Sequence, residues 1–478
     1  MIEWSIFNEI FTVAFNLLYF LIIIGTIMIV VLDNRNPVKT MAWVLVLFFL
    51  PIVGLIFYFF FGRSTRKEKL IGRKGFTRLI KRPMAEYQAQ KAFKCPEDQH
   101  QLMHFFRNVN NALPFEGNKT EVYTDGLSML QSLMKAISKA KHHIHLEFYI
   151  FEDDPVGRLL RDLLIDKARE GVEIRLLYDD VGCWKVPHLF YDEMRGAGIE
   201  ARGFLKVRFP VFTSKVNYRN HRKIVVIDGK VAFTGGMNIA LRYMKGFQWG
   251  IWRDTHIKIE GKAVYGLQTA FLTDWYVVDR TLITSSRYFP EMDSYGNALM
   301  QIVTSDPVGE WKDIMQGVVL AICNAQRYIY VQSPYFLPTE EVMNAFQTAA
   351  LAGVDVRVMI PERADTFLTH MGSLSYLDEL MAAGVKVYMY KAGFLHSKLI
   401  VSDDEVASVG SANMDFRSFE HNFEANAFFY DKETALALKE IFLNDQRSCL
   451  LLSRKQWAMR PRKQRVIESV VRLLAPLL

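Results

Sequence analysis

Residues 220–238 read NHRKIVVIDGKVAFTGGMN, and residues 395–413 read LHSKLIVSDDEVASVGSAN. Each stretch places a lysine two residues after a histidine, an aspartate seven after it, then Gly-Gly or Gly-Ser and an asparagine. The paired residues are His221 and His396, Lys223 and Lys398, Asp228 and Asp403, Asn238 and Asn413, all offset by 175. Residues two apart on a strand share a face, so each copy would present an imidazole and an ammonium to one ligand. A phosphate suits that pair. Lysine supplies a point charge, and imidazole donates a proton, accepts one or attacks phosphorus. Asn238, Ser411 and Asn413 would add amide and hydroxyl donors near the same anion, while Gly236 replaces the serine in the first copy, so the two phosphate cradles need not be equivalent.

A lone His–Lys strand reads best as a solvated edge, but two copies in matched contexts favour a phosphate site. Asp228 and Asp403 count with His221, Lys223, His396 and Lys398 in the catalytic set. They also fall at likely turns, IDGK and SDDE, so structural service through turn hydrogen bonds or a salt bridge stands equally open. Asp254 in WRDTH and Glu424, eleven residues after Asn413, are candidates for a carboxylate that orients a histidine; the alternative is an acid on a solvated strand end.

The segments around these residues alternate in strand and helix patterns. HHIHLEFYIF (142–151) reads as a strand, GRLLRDLLIDKAREG (157–171) as an amphipathic helix and VEIRLLYDD (172–180) as a strand. RYIYVQSPYF (327–336), TEEVMNAFQTAALAG (339–353) and VDVRVMIP (354–361) repeat that order. An α/β fold of two similar domains follows, 121–295 and 296–478, with a Ser-, Tyr-, Pro- and Gly-containing linker over 279–298. The first copy carries extra residues before its histidine, LKVRFPVFTSKVNYRN.

Before residue 121 the chemistry changes. Residues 10–32 carry no charge, 41–61 are a second apolar stretch, and together they predict a transmembrane hairpin within 1–63. Nine Lys and Arg in 63–82, within a basic connecting segment 64–120, place both termini and the catalytic body in the cytoplasm. Pro51 is a candidate kink. The basic C-terminal segment 453–478 fits equally an interfacial amphipathic helix and one packed on the second domain. Four cysteines lack zinc or disulfide spacing and read as reduced thiols. The net charge of +7 suits anionic lipid or nucleic acid and does not choose between them.

The doubled HxKxxxxD pattern with downstream Gly-Gly or Gly-Ser and Asn resembles the signature of the phospholipase D superfamily. Over nearly the whole chain the sequence resembles the bacterial cardiolipin synthases, in NPVKTMAWVLVLFFLPIVGLIFYFFFGR, LEFYIFEDDPVGRLLRDLL, WRDTHIKIEG, SPYFLPT and the tail MDFRSFEHNFEAN. The resemblance implies two phospholipase D-like domains, mixed sheets flanked by helices in a pseudo-twofold arrangement, with one active site at their interface. It implies facing histidines, a phosphohistidine intermediate, and no metal or other cofactor. The implied reaction moves a phosphatidyl group between two phosphatidylglycerols, with His221 as nucleophile and His396 as acid and then base. Lys223, Lys398, Asn238, Ser411 and Asn413 would hold the phosphate. The implied location is a bacterial cell membrane, multi-pass, with phosphatidylglycerol and anionic lipids as partners and nucleic acid not expected. Two rivals remain: a membrane-bound phospholipase D-type phosphodiesterase or nuclease that hydrolyses its substrate, and a lipid-binding scaffold without catalysis.

Overall fold

The alternation of short apolar strands with amphipathic helices builds the same sheet twice. A computed structural model of the chain describes residues 2–32, 37–58, 100–206 and 218–477, in two compact units. In the larger unit, the first copy orders its strands Pro114–Tyr123, His256–Glu260, Val231–Gly235, Lys223–Ile227, His143–Phe148, Glu173–Asp179 and Glu200–Phe204. The second orders Ala298–Ser305, Asn422–Phe429, Val406–Gly410, Leu399–Ser402, Tyr328–Gln332, Asp355–Pro361 and Lys386–Tyr390, with Cys449–Leu451 added at the edge. Position for position the orders agree. Pro114–Tyr123 and Ala298–Ser305 pair antiparallel, Phe115 opposite Met300, so the two sheets run on as one.

Each sheet is mixed for a local reason. Strands joined through a helix run parallel, as His143–Phe148 and Glu173–Asp179 do across the helix Pro155–Arg169. That helix starts where Asp154 accepts the N–H groups of Val156 and Gly157, with Pro155 in its first turn, and it buries Val156, Leu160 and Leu164 at helical spacing. Burial of each such side chain contributes about 1.5–3 kcal/mol. Strands joined by a tight turn run antiparallel, as Lys223–Ile227 and Val231–Gly235 do.

The turn residue before that return is Asp228, at φ +54°, and its counterpart Asp403 lies at φ +55°. Aspartate tolerates this left-handed conformation better than most residues. The Asp228 carboxylate accepts backbone N–H groups from Lys141, His142 and His143 at 2.8–3.0 Å. Asp403 accepts those of Gln326, Arg327 and Tyr328 at 2.6–2.9 Å. Each carboxylate therefore fixes the start of its neighbouring central strand.

Two short crossings join the copies near the paired motifs. Arg219–Asn220 pairs in parallel with Asn422 and Phe423, and Gly393–Leu395 pairs in parallel with Ile251–Arg253. The second crossing needs glycine, because a Cβ on Gly393 would sit 2.0 Å from the Ile251 carbonyl oxygen.

In the smaller unit, Ile2–Leu32 is one helix, and its Glu9–Leu32 portion is long and apolar enough to cross a membrane. The second apolar stretch differs from the expected single span. It forms Pro37–Phe49 and Pro51–Phe57, broken at Leu50, because Pro51 lacks an N–H and opens the next helix. Val30, Leu47 and Tyr58 pack together with Trp43 beside them. The basic run 63–82, most of the segment 64–120 and most of the insertion before His221 lie outside the described residues.

Candidate active site

The crossings decide where the histidines sit. His221 occupies the two-residue break between Arg219–Asn220 and Lys223–Ile227, and His396 the break between Gly393–Leu395 and Leu399–Ser402. Neither lies within a regular strand, because the chain is leaving pairing with the opposite copy to join its own sheet. The backbone N–H of His221 donates to Phe423 at 2.9 Å, and that of His396 to Arg253 at 2.7 Å. Each histidine is thereby seated beside the carboxylate that follows its backbone partner in the other copy.

His221 Nδ1 lies 2.9 and 3.1 Å from the Glu424 carboxylate oxygens, and His396 Nδ1 lies 2.6 Å from Asp254 Oδ2. Asp254 and Glu424 are fully buried, unlike acids on solvated strand ends. The pairing is crossed: the first copy's carboxylate serves the second copy's histidine, and the reverse. With Nδ1–H donated to a carboxylate, the Nε2 lone pair of each neutral imidazole remains for chemistry.

The lysines close the arrangement. Lys223 Nζ donates to the His221 carbonyl at 2.6 Å, and Lys398 Nζ donates to the His396 carbonyl and lies 2.9 Å from its Nδ1. Burial pushes the Lys223 ammonium down to about 7 and that of Lys398 down to about 8, with carboxylates including Glu424 and Asp254 opposing the shift. Burial also lowers His221 to about 4 against the pull of Glu424, and His396 to about 3 with Lys398 adding to the effect. Lys398 acts electrostatically on His221 and Lys223 on His396, so the two pairs share one field. Burial would raise Glu424, yet His221, Lys223 and Ser411 hold it down at about 2. Asp254 is held below the usual carboxylate range against burial, chiefly by His396 and Lys398.

The remaining sequence candidates divide by position. The Ser411 hydroxyl donates to Glu424 and accepts the Ala425 N–H at 3.0 Å, so it braces the carboxylate beside His221. Its counterpart Gly236 lies against Asp254, where a Cβ would come 1.9 Å from Oδ1. Asn238 accepts the Ile150 N–H at 3.0 Å and donates to the Tyr243 hydroxyl. Asn413 donates to Asp415 at 3.1 Å. Asp228 and Asp403 are engaged with backbone at the starts of the central strands.

Sequence reasoning missed the aromatic wall at His396, where Trp252, Phe394 and Tyr243 stand 5.1, 5.6 and 6.0 Å from the imidazole centre. At His221, Tyr149 stands 5.1 Å away. The signal available was the aromatic residue beside each motif, as in WRDTH and GFLH. Among the described residues, no group of three or more His, Cys, Asp or Glu side chains is placed to hold a metal ion.

Two His–Lys pairs at the seam of two like-ordered sheets, each histidine held by the other copy's carboxylate, form the candidate centre, and the segments that carry them match the phospholipase D class. Residues 133–275 and 318–446 match the family described as "Cardiolipin synthase, PLD-like domain", and residues 17–63 match "Phospholipase_D-nuclease N-terminal". The chain is 41% identical over 482 residues to the major cardiolipin synthase of Bacillus subtilis strain 168, covering 98% of this chain and 99% of that one. It is 41% identical over 458 residues to a cardiolipin synthase of Geobacillus sp. strain WCH70, covering 94% and 91% of the two chains. A phosphatidylserine synthase crystal structure from Haemophilus influenzae Rd KW20 shares the fold at a TM-score of 0.63 and 14% identity, covering 79% of this chain and all of the other. The chain belongs to the bacterial cardiolipin synthases of the phospholipase D superfamily.

Proposed function

We propose that the enzyme transfers a phosphatidyl group from one phosphatidylglycerol to the hydroxyl of another, giving cardiolipin and glycerol reversibly. The observation that carries this reading is the crossed pairing, which leaves two Nε2 atoms for a single phosphodiester. His221 Nε2 attacks phosphorus as the bond to the glycerol oxygen breaks, and His396 gives that oxygen its proton. The second phosphatidylglycerol then loses its hydroxyl proton to His396 and attacks phosphorus, and the P–N bond breaks to restore neutral His221. Lys223 and Lys398 balance the growing charge on the phosphoryl oxygens, while Ser411 braces Glu424 and Asn238 and Asn413 brace the loops beside the two motifs. Burial and then the Lys398 charge hold His396 low, and an anionic phosphodiester between the lysines opposes both, so substrate itself favours the protonated acid. Asp228 and Asp403 act as supports rather than as reacting groups.

The finer placement belongs to the same proposal. The helix Ile2–Leu32 crosses the bacterial membrane, the broken pair Pro37–Phe49 and Pro51–Phe57 returns as the second arm of the hairpin, and the catalytic copies, divided near residue 295, are cytoplasmic. The helix Arg462–Arg472 packs inward through Glu468 and Val471 and leaves Val466, Val470 and Leu473 exposed among Arg462, Lys463 and Arg465, which supports contact with anionic lipid.

Reaction of the full-length enzyme with head-group-labelled phosphatidylglycerol tests the reading. Mass spectrometry should find cardiolipin and labelled glycerol, and a phosphatidyl adduct should map to His221 when wild-type enzyme is quenched under alkaline conditions during turnover. Phosphatidic acid as the sole lipid product, nuclease activity without cardiolipin, or unchanged turnover in His221→Ala and His396→Ala would overturn it.

A further inference from the structure

Two buried arginines next to the site residues make the same connection in both copies from different places in the sequence. Arg222 lies between His221 and Lys223. Its guanidinium pairs with Asp274, on the helix Val264–Asp279, while its Nε–H donates to the backbone carbonyl of Glu424 at 3.0 Å. Arg253 directly precedes Asp254. Its fork takes Asp445, on the helix Lys432–Gln446, at 2.9 and 2.7 Å, while its remaining nitrogen donates to the backbone carbonyl of Asp254 and to Thr255 Oγ1. Both arginines are at most 4% exposed.

In each case a guanidinium ties a helix aspartate to the main chain of the residue whose carboxylate holds a histidine. Both ties span the copies, since Arg222 reaches across for Glu424 and Arg253 for Asp445. At the position of Arg222 the second copy has Ser397, whose hydroxyl meets that of Thr255 at 2.7 Å, so the guanidinium there comes from the opposite strand instead.

We propose that Arg222–Asp274 and Arg253–Asp445 are positioning pairs that set Glu424 and Asp254 against their histidines. The proposal rests on the two-histidine reading of the site. A buried guanidinium that pairs with a helix carboxylate and also donates to a main-chain carbonyl is a rigid anchor. A carbonyl anchored to it fixes the next backbone unit and, through it, the carboxylate that decides the histidine tautomer. Their loss lowers turnover without removing any group that touches substrate.

The test separates this role from that of an ordinary buried ion pair. Arg222→Met leaves Asp274 buried and unpaired and destabilises the fold. Arg222→Met/Asp274→Asn removes both charges and restores stability, yet still lacks the donor to Glu424. The full-length double variant should melt near wild type with kcat about 10- to 100-fold lower, KM little changed and a displaced pH profile, whereas Arg222→Lys should recover part of the kcat. Arg253→Met/Asp445→Asn should behave alike. Double variants that regain wild-type kcat and pH profile along with stability would overturn the proposal. Each protein is also assayed on bis(p-nitrophenyl) phosphate, which needs no lipid acceptor. A loss seen on that diester while no variant or wild type makes cardiolipin would uphold the positioning role and reject the synthase reading.

Discussion

Replacement of Gly236 by alanine is a sharp test of what Asp254 does. A Cβ at position 236 would stand 1.9 Å from Asp254 Oδ1, 2.7 Å from Cγ and 2.9 Å from Oδ2. An ordinary carbon–oxygen contact requires the carboxylate to retreat by about 1.5 Å. No solvent is available to receive it: Asp254 is fully buried and already accepts the Thr255 N–H at 2.8 Å. Retreat breaks the 2.6 Å contact with His396, a hydrogen bond to a charged group that contributes about 1.5–3 kcal/mol. Lost from the transition state, that is a fall in kcat of roughly 10- to 150-fold. Crowding adds about 1–3 kcal/mol of instability. Steady-state kinetics on phosphatidylglycerol in mixed micelles, with a melting curve to correct for folded fraction, reads both effects. Ser411→Ala is the contrast, because it creates no clash and leaves Glu424 its contacts with His221 and with Asn422 at 3.2 Å, so its kcat falls less. A folded Gly236→Ala enzyme with wild-type kcat would refute the reasoning that the placement of Asp254 governs His396.

Further expectations follow from neighbouring groups. Glu147 faces Ile224 as Gln332 faces Leu399, and Gln332 donates to Asp445 at 2.8 Å; burial beside Asp274 raises Glu147 well above the usual carboxylate range. Glu147→Gln should therefore keep kcat and stability, while Glu147→Ala should lower the melting temperature; a large loss in the glutamine variant counts against a neutral Glu147. Glycerophosphoglycerol, a diester that does not titrate near neutrality, should bind with proton uptake at pH 7–8. Its negative charge raises Lys223 and Lys398 from about 7 and about 8 and raises the histidines with them, all in the same direction. Calorimetry in buffers of different ionisation enthalpy reads the sign, and net proton release would contradict it. Asp228→Ala and Asp403→Ala should cost stability, on the order of 1–3 kcal/mol each from stranded backbone donors, with kcat per folded molecule nearly unchanged. A tenfold loss of kcat at full folding would return them to the chemistry.

The repeated motif carried much of this site because His, Lys, Gly and Asn recur at fixed offsets, and local spacing is what a sequence displays. The strand at 143–148 and the helix beginning near 155 were legible for the same reason, their periods being local. Asp254 and Glu424 were visible as candidates, but their exchange between the copies was not. His221 meets Glu424 across 203 residues through a backbone pairing that leaves no trace in periodicity. Ser411 resembled a phosphate donor by type, and only the packing of the carboxylate beneath it turns the hydroxyl toward Glu424. Pro51 advertised a kink, and the structure breaks the helix there.

The exchange of carboxylates has an evolutionary consequence. Residues 219–220 meet 422–423 and residues 394–395 meet 252–253, so exchanging the copies turns one crossing's pairing into the other's, and a single-copy ancestor meeting itself as a homodimer would make both. Fusion into one polypeptide removes the demand that both copies be identical, and the differences at Asp254 and Glu424, Gly236 and Ser411, and Arg222 and Ser397 are the freedom that fusion grants. It does not let the copies drift apart independently. A substitution beside one carboxylate is felt at the other copy's histidine, so compensating changes are to be sought across the repeat rather than within it.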